Sequence, residues 1–234
     1  MSTAATSGDA HVWAVLVAAG RGERLGEDRP KAFVRLGGLP LLAEPLRRLD
    51  ESPWIDAIVV VAPAEWEEPT ILLAEEVGAS KVSACVTGGA TRADSVRAGV
   101  AEVPDDAAVI LVHDAARPLV NDQVLERLIG ALGQGFDGAV PGLPLTDTVK
   151  RIRAGVVEET LSRDELVAVQ TPQAFVAPVF RAAVTAASVD ATQGPTDCAS
   201  LVEAAGGRVA VVEGDERLLK VTTRADLERI TAWL

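Results

Sequence analysis

An unbroken apolar run that ends in a glycine-rich loop constrains this chain more than any other stretch. The run from Val12 to Val17 carries no charged side chain, which is typical of a strand buried on both faces of a parallel sheet. Glycines then recur at positions 20, 22 and 26, and the cations Arg21, Arg24 and Lys31 lie among and after them. Glycines let backbone N–H groups approach a phosphate, and cations neutralise its charge. The stretch predicts either a phosphate-binding loop or an ordinary strand-to-helix turn with surface arginines, and the three cations favour phosphate.

The composition limits the class of protein and its partners. A length of 234 residues suits one α/β domain, and a hydrophobic content of 48% is ample for its core. The formal net charge of −12 argues against nucleic acid or an anionic membrane as a partner. No apolar run approaches the ~18 residues of a membrane span. The two cysteines, Cys85 and Cys198, are far apart, and with the missing signal peptide they indicate a reducing, cytoplasmic location.

Apolar runs and helical patterns alternate along the first part of the chain. After the opening strand, strands are predicted at 57–61, 81–86, 107–112 and 138–140, and helices at 40–49, 65–77 (with a break near Pro69), 91–103 and 121–132. This order predicts an α/β fold, a Rossmann-like and mostly parallel sheet with helices on both faces. Ligands on such sheets bind beyond the carboxyl ends of the strands. The loops 19–31, 87–95 and 113–118 all follow strands, and we therefore expect them to form one binding site.

Residues 141–170 change character, because the helical and strand periodicity weakens there. Strands at 148–152 and 156–160 predict an exposed hairpin, which is only marginally stable alone and needs something to pack on. Beyond it we expect helices at 178–187 and from the cap Thr196-Asp197 to 205, strands at 208–212 and 218–221, and a last helix opened by a capping box at Thr223 and Asp226. Residues 1–10 are predicted to be disordered. Residues 11–234 are predicted to form a single domain with 141–170 as a protruding arm.

The glycine loop differs from the two better-known nucleotide fingerprints. Leu25 stands where a dinucleotide-binding loop requires glycine, and the second strand ends in Val61-Ala62-Pro63 without the expected acid. Gly26 is not followed by the lysine of a Walker loop. The remaining pattern, L-x-A-A-G-x-G-x-R-[LM]-G…P-K, resembles nucleotidyltransferases that join an NTP to a phosphorylated small molecule. The motifs at 88–95 (G-G-x-x-R-x-x-S), 113–118, 161–163, 171–173, 196–197 and 220–222 are similar, in order, to those of the 2-C-methyl-D-erythritol 4-phosphate cytidylyltransferase family of the non-mevalonate isoprenoid pathway.

This resemblance implies a nucleotide-diphospho-sugar transferase type of fold and a Mg²⁺-dependent enzyme. The implied reaction transfers CMP from CTP to 2-C-methyl-D-erythritol 4-phosphate, a phosphorylated polyol, and releases pyrophosphate. The implied catalytic residues are Arg24 and Lys31, which stabilise the transition state, and Arg163 and Lys220, which position the acceptor. The implied nucleotide-binding residues are Ala18, Ala19, Gly20, Gly22, Gly88, Gly89, Ser95, Asp114 and Arg117. The implied acceptor-binding residues are Asp114, Thr148, Arg163, Thr171, Thr196 and Lys220.

The resemblance also implies a metal position and an assembly. Asp114 follows a predicted strand, where a carboxylate suits a hard cation, and it would meet Mg²⁺ directly or through water. The arm would cross to a second subunit, which makes the protein a homodimer with Arg163 and Thr171 in the partner's acceptor pocket. His113 is expected to support its loop. Cys198 stands at a position that is often acidic in relatives, and it is interpreted as structural.

Other interpretations of the same residues stay open at the level of sequence. One is a cytidylyltransferase for another polyol phosphate, such as ribitol 5-phosphate. Another is a nucleotide sensor without turnover, against which the cations Arg24, Lys31 and Lys220 speak, because binding alone does not need all three. An NAD-dependent oxidoreductase fails on Leu25 and on the missing acid. Ala90 replaces an acid that many relatives carry after the glycine pair, so we expect no polar side-chain contact from position 90.

Overall fold

The computed structural model describes residues 11–20, 22, 28–187 and 197–234. Three of the sequence-based predictions concern residues outside these ranges: the disordered segment 1–10, the catalytic Arg24 and the acceptor ligand Thr196. In chain order, the strands are β1 (Val12–Val17), β2 (Arg35–Leu36), β3 (Leu39–Pro40), β4 (Ala57–Ala62), β5 (Val82–Thr87), β6 (Val109–Asp114), β7 (Gly138–Pro144), β8 (Val149–Arg153), β9 (Val156–Leu161), β10 (Val167–Val169), β11 (Gln173–Val176) and β12 (Val209–Glu213).

An eight-stranded sheet forms the centre of the fold. β1 pairs in parallel with β4 on one side and with β6 on the other, and β5 continues the parallel order beyond β4. β11 and β10 run antiparallel along one side of β7, β11 also joins β7 to β6, and β12 pairs with β7 in parallel. The predicted mostly parallel α/β sheet is thereby confirmed. Because β1, β4, β5 and β6 share one direction, their carboxyl ends meet at a single edge.

Seven helices of the described chain surround this sheet: α1 (Ala43–Glu51), α2 (Glu67–Glu76), α3 (Arg92–Ala101), α4 (Asp122–Gly133), α5 (Ala177–Ala186), α6 (Ala199–Ala204) and α7 (Arg224–Thr231). Side chains of a strand alternate between the two faces, and β1 does so: Leu16 packs with α1, α2 and α4, whereas Val15 packs with α3, α5 and α6. Two apolar layers result, one on each face, as predicted. None of the helices in the described ranges is long and apolar enough to cross a membrane.

Several predicted boundaries are wrong, each for a local reason. Pro69 lies in the first turn of α2 and does not break it, because a first-turn residue needs no N–H partner inside the helix. The predicted strand 218–221 does not form. The chain makes a 3₁₀ helix at Glu216–Leu218, and the N–H of Val221 donates to the carbonyl of Ala116 at 2.8 Å. The first helix begins at Ala43 rather than at position 40, because Leu39–Pro40 pairs with β2 as strand β3.

The protruding arm covers fewer residues than the predicted range 141–170, because both ends of that range belong to the main sheet. Residues Gly138–Pro144 form one continuous strand of the main sheet, and Val167–Val169 pairs with its end. The piece between them carries the hairpin of β8 and β9, which pair only with each other. The hairpin strands are almost entirely exposed, including Ile152 at 66% and Val157 at 55%. A hairpin with exposed apolar and charged side chains, which pairs with no other strand of the described chain, therefore extends from the main sheet.

Candidate active site

A cavity of about 300 Å³ opens at the carboxyl edge of the central strands. The pairing of β1 with β6 brings Val17 beside Asp114, so the loops that follow these strands start next to each other. Loop residues after β1, β5 and β6 line the cavity, and so does the segment around Lys220. The predicted site residues that line it are Ala18, Ala19, Gly20, Lys31, Gly89, Ser95, Asp114 and Lys220. The sequence-based expectation that three loops converge on one site is met in this arrangement.

Asp114 is the carboxylate at the centre of the cavity, and two cations hold it. The Nζ of Lys220 lies 2.7 Å from Oδ2, and the Nε and NH2 of Arg92 lie 3.0 and 2.9 Å from Oδ1. Burial alone would raise the pKa of the Asp114 carboxyl, but Arg92 and Lys220 outweigh it and hold this pKa well below its usual range. Asp114 is therefore ionised, and the cluster of the three side chains carries a net positive charge.

Arg92 is a member of this cluster that the sequence analysis left without a role. It is the first residue of α3, whose cap Thr91 and Asp94 form the predicted capping box. The third nitrogen of its guanidinium, NH1, donates to the Sγ of Cys198 at 3.3 Å. The only sequence signal for Arg92 was its place in the 88–95 motif, because its partners are 22 and 106 residues away in the chain.

The glycine pair Gly88-Gly89 brings the loop after β5 against its neighbours. A Cβ at Gly88 would lie 2.2 Å from the Cβ of Ala19, and one at Gly89 would lie 2.3 Å from the Cβ of Asp94, so only glycine fits at either position. The buried hydroxyl of Ser95 accepts from the N–H of Gly89 at 3.1 Å and donates to the carbonyl of Thr91. These hydrogen bonds of Ser95 hold the Gly88-Gly89 loop in place, and Ser95 also lines the cavity.

His113 and Thr171 lie beneath Asp114 and fix its backbone. The carbonyl of Arg117 can only accept, so the Nε2 of His113 carries the proton and donates to it at 2.9 Å. The Nδ1 then accepts from the Thr171 hydroxyl at 3.2 Å, and this hydroxyl accepts from the N–H of Asp114 at 3.0 Å. Thr171 is buried, and its one donor is used inside its own chain. In the single chain this hydroxyl bonds to His113 and Asp114, and the contact of Thr171 with an acceptor phosphate of a partner stays a prediction.

Lys31 enters the cavity from the loop after β1. Gly22 has a positive φ of 70°, and a Cβ there would lie 2.6 Å from the Cβ of Lys31, so the two parts of this loop are closely packed. Lys31 also acts on Asp226, the third residue of α7, whose side chain completes the capping box with Thr223. Burial alone would raise the pKa of Asp226, but the N–H groups of Thr223 and Thr222 and the charge of Lys31 lower it.

Arg117, Thr148 and Arg163 are among the predicted residues that do not line the cavity in this chain. Thr148 and Arg163 are exposed at the base of the hairpin, where the Arg163 guanidinium donates to the carbonyl of Thr146. The NH1 of Arg117 donates to the carbonyl of Leu218 at 2.6 Å, and so joins the loop after β6 to the segment that carries Lys220. Arg117, a predicted nucleotide ligand, therefore positions the protein backbone in this structure.

The cavity can accept a hard cation, but only together with a ligand. Among the described residues, no group of three or more histidine, cysteine, aspartate or glutamate side chains is placed to hold a metal. Asp114 is the carboxylate that the cavity lining provides within the described ranges. Mg²⁺ commonly takes one or two protein carboxylates, substrate phosphates and water. The donor set fits a cation that arrives with a phosphorylated ligand and meets Asp114.

The chain is similar to proteins of one family over nearly its whole length. Residues 12–234 match the family model described as "IspD: 2-C-methyl-D-erythritol 4-phosphate cytidylyltransferase". The cytidylyltransferase of that name from Nocardia farcinica is 48% identical over 220 residues, which cover 94% of this chain and 92% of the relative. The "Bifunctional enzyme IspD/IspF" of Clavibacter michiganensis is 46% identical over 92% of this chain and 52% of its own length.

Solved structures agree with these relatives. The 4-diphosphocytidyl-2C-methyl-D-erythritol synthase of Anaerococcus prevotii has a TM-score of 0.81 at 27% identity, over 95% of this chain and 97% of that one. The 2-C-methyl-D-erythritol 4-phosphate cytidylyltransferase of Thermus thermophilus has a TM-score of 0.74 at 31% identity, over 94% and 97%. Together with the loops, the cavity and the ordered motifs, these similarities identify the chain as a member of the 2-C-methyl-D-erythritol 4-phosphate cytidylyltransferase family.

Proposed function

We propose that this protein transfers CMP from CTP to 2-C-methyl-D-erythritol 4-phosphate and yields 4-diphosphocytidyl-2-C-methyl-D-erythritol and pyrophosphate. The observation that carries this proposal is the cavity that Lys31 lines and in which Arg92 and Lys220 pair with Asp114. A site that joins two phosphorylated molecules needs positive charge, and this chain collects it there despite a net charge of −12. Membership of the family, with all motifs in order, supports the same reaction.

The chemistry needs no covalent intermediate with the protein. An oxygen of the acceptor's phosphate attacks the α-phosphorus of CTP and forms a new P–O bond. The bond from this phosphorus to the oxygen that bridges to the β-phosphorus breaks, and pyrophosphate leaves with the electron pair. Since an anion attacks an anionic centre, the protein contributes alignment and neutralising charge.

The proposed roles follow from where the described residues lie. Lys31, with Arg24 from the same loop, stabilises the charge that develops on the α-phosphate. Lys220 holds the acceptor phosphate close to it. The glycine loops supply backbone N–H groups at close approach, and the Gly88-Gly89 loop receives the cytosine ring. By its place in the Thr196-Asp197 motif, Thr196 is proposed to contact the acceptor.

A Mg²⁺ ion belongs to this proposal as a partner of the nucleotide. Asp114 would hold it, directly or through water, together with phosphate oxygens of CTP. When bound, such a cation offsets charge on the triphosphate and on the departing pyrophosphate. Arg92 and Lys220 hold the pKa of the Asp114 carboxyl well below its usual range, so the carboxylate that would meet the cation is ionised at neutral pH.

A homodimer and a reducing compartment complete the proposal. The hairpin β8–β9, which exposes Ile152, Val156 and Val157, would pair with a second copy, since closed two-fold assembly is the commonest arrangement of soluble oligomers. Thr148 and Arg163 at its base would then contribute to the acceptor pocket of the partner. Cys85 and Cys198 are both free thiols, which suits the reducing cytoplasm.

The test is pyrophosphate release from NTPs across a panel of polyol phosphates. We expect release with CTP and 2-C-methyl-D-erythritol 4-phosphate, and much slower release with ribitol 5-phosphate or with ATP, GTP or UTP. A matched reaction without any acceptor controls for simple hydrolysis of CTP. Preference for ribitol 5-phosphate would replace the proposed acceptor, and binding of CTP without release under any condition would indicate a sensor.

A further inference from the structure

The guanidinium of Arg92 donates hydrogen bonds to two side chains, the carboxylate of Asp114 and the thiol of Cys198. Its Nε and NH2 face the Oδ1 of Asp114, and its NH1 faces the Sγ of Cys198. Side chains of Arg92 and Asp114 are 27% and 10% exposed, so little water competes for these contacts. A planar guanidinium held at both of its ends has one orientation. That orientation determines where Oδ1 of Asp114 can lie.

Cys198 is a neutral acceptor that is itself fixed in place. It is 2% exposed, and burial raises the pKa of its thiol to about 11 although Arg92 acts in the opposite direction. The Oε1 of Gln173, 1% exposed, accepts from the N–H groups of Cys198 and Ala199 at 3.0 and 3.3 Å. The Nε2 of Gln173 donates to Asp197 at 3.0 Å. The turn that carries the thiol is therefore anchored to strand β11.

We propose that Arg92 is the positioning residue of Asp114, and that the Cys198 thiol, held by Gln173, sets the orientation of Arg92. The proposal rests on the proposed cytidylyl transfer. A thiol accepts one N–H of the guanidinium without adding a charge, so the whole positive charge of Arg92 stays available to Asp114. A carboxylate at position 198 would compete with Asp114 for that charge. Cys198 and Arg92 act on the reaction only through Asp114, while Lys220 holds its other oxygen.

The test is a double-mutant cycle on the full-length protein. Arg92→Gln and Asp114→Asn are each expected to lower kcat by about 10- to 100-fold, as loss of an outer partner of a functional group does. The KM for CTP is expected to change by less than about threefold. If Arg92 acts through Asp114, the double variant is no slower than the slower single variant, because residues that act as a unit are not additive. Arg92→Lys restores part of the loss by keeping a charge on Oδ1.

Unfolding midpoints supply a second readout that does not depend on turnover. Arg92→Gln leaves the Asp114 carboxylate buried with one cation fewer, so its midpoint is expected below that of wild type. The double variant with Asp114→Asn is expected to regain part of this loss, because it no longer buries the charge. Arg97→Gln is the matched control. It removes another α3 arginine, which pairs with Asp94 outside this cluster, and is expected to keep kcat within about twofold of wild type.

Variants at position 198 test the second half of the proposal. Cys198→Ser keeps an acceptor and is expected to remain close to wild type. Cys198→Val keeps the volume and removes the acceptor, and is expected to lower kcat by roughly two- to tenfold, the effect of one hydrogen bond. In the Arg92→Gln background the same Cys198→Val change is expected to have no further effect on kcat.

The outcomes separate this inference from the proposed function. If the wild type does not release pyrophosphate, the proposed function fails, and the midpoints of the Arg92 and Asp114 variants still test the pairing. If the wild type turns over and the kcat effects of Arg92→Gln and Asp114→Asn multiply, Arg92 acts independently and the inference is overturned. Wild-type kcat in Arg92→Gln, or an equal loss in Cys198→Ser and Cys198→Val, also overturns it.

Discussion

The cluster around Asp114 and the hairpin β8–β9 are built in opposite ways. Asp114 is 7% exposed, and its two carboxylate oxygens and its N–H all have partners from its own chain. The hairpin strands pair only with each other and expose Ile152 at 66% and Val156 at 66%. The polar groups of Asp114 therefore find their partners within one chain. The hairpin instead leaves apolar side chains exposed, and the polar residues at its base do not line the cavity.

The two regions differ in whether a single chain supplies the partners of their side chains. The buried cluster holds its charged groups in fixed positions before any ligand arrives, which is the preorganisation that favours electrostatic stabilisation. In the proposed homodimer, Thr148 and Arg163 at the exposed base of the hairpin would enter the acceptor pocket of the partner. That proposed pocket would depend on assembly, whereas the cluster around Asp114 forms within one chain.

The largest expected effect comes from removing the metal. This experiment tests whether the cations of the protein alone can neutralise the charge of the ligands. Excess EDTA is expected to abolish pyrophosphate release and added Mg²⁺ to restore it, because Lys31, Arg92 and Lys220 do not offset the charges of CTP and a second phosphate. The unfolding midpoint without ligand is the control and is expected to stay unchanged, since the described residues form no metal cluster. Full turnover in excess EDTA would show that the protein cations suffice.

The next effect concerns the charge that faces the nucleotide. Lys31→Ala is expected to lower kcat by about 10²- to 10³-fold, the usual loss for one transition-state donor, and Arg24→Ala to do the same. Lys81→Ala is the matched control, because the Nζ of Lys81 donates to the carbonyl of Ser52, away from the cavity. An early-melting Lys31→Ala protein, or one with unchanged kcat, would contradict the assigned role.

Complementation tests whether the arm completes a neighbouring site. Arg163→Ala and Lys31→Ala are each expected to be inactive alone, but one site of a mixed dimer holds both residues intact. Random exchange between equal amounts is expected to restore about a quarter of wild-type activity, since half the dimers are mixed and one site of each is intact. Solution mass before and after mixing is the accompanying measurement. No recovery despite proven exchange, or an active monomer, would place the whole acceptor pocket in one chain.

The smallest expected effect concerns stability in mild acid and belongs to the buried cluster. Burial lowers the pKa of His113 to about 4 although the Asp114 carboxylate acts in the opposite direction. The unfolded chain takes up this proton near pH 6.5 and the folded chain does not, so stability falls as the pH drops from about 6.5 toward 4. Between pH 7 and pH 5 the loss from this histidine is about 2 kcal/mol in the free energy of unfolding.

Two variants isolate this contribution. In His113→Gln the difference in stability between pH 7 and pH 5 is expected to shrink, whatever the stability at pH 7. His11→Gln changes the other histidine, which is exposed, and is expected to leave the pH dependence of wild type intact. Denaturant titrations at the two pH values measure both. An unchanged pH dependence in His113→Gln would mean that this histidine is not held neutral by the fold.

The sequence predicts those parts that local patterns encode. The apolar run at Val12–Val17 has the composition of a central strand and is one, and Thr91 and Asp94 have capping-box spacing and form that box. The predictions fail where a contact between residues far apart in the sequence determines the local structure. The run at 218–221 has the composition of a strand, but the N–H of Val221 donates to the carbonyl of Ala116 in a different loop, and the run pairs with no strand of the described chain. Composition alone cannot show which edge of the sheet is already occupied.

Among the site residues too, those marked by local motifs are predictable, and those whose role depends on distant contacts are not. Lys31, Asp114 and Lys220 are marked by motifs and meet in the cavity. The role of Arg92 is not visible in the sequence, because it depends on a thiol and a carboxylate brought together only by the packing of α3, α6 and β6. For Thr171 the motif gives the position but not the direction of the hydroxyl, which His113 and Asp114 determine.

The contact between Gly88 and Ala19 ties two loops that follow different strands. A Cβ at position 88 would lie 2.2 Å from the Cβ of Ala19 and 2.9 Å from the hydroxyl of Ser95. A larger side chain at either position 19 or position 88 must push the first loop away from the second and widen the cavity between them. The separation of the loop after β1 from the loop after β5, both of which line the cavity, is thus set by two very small residues.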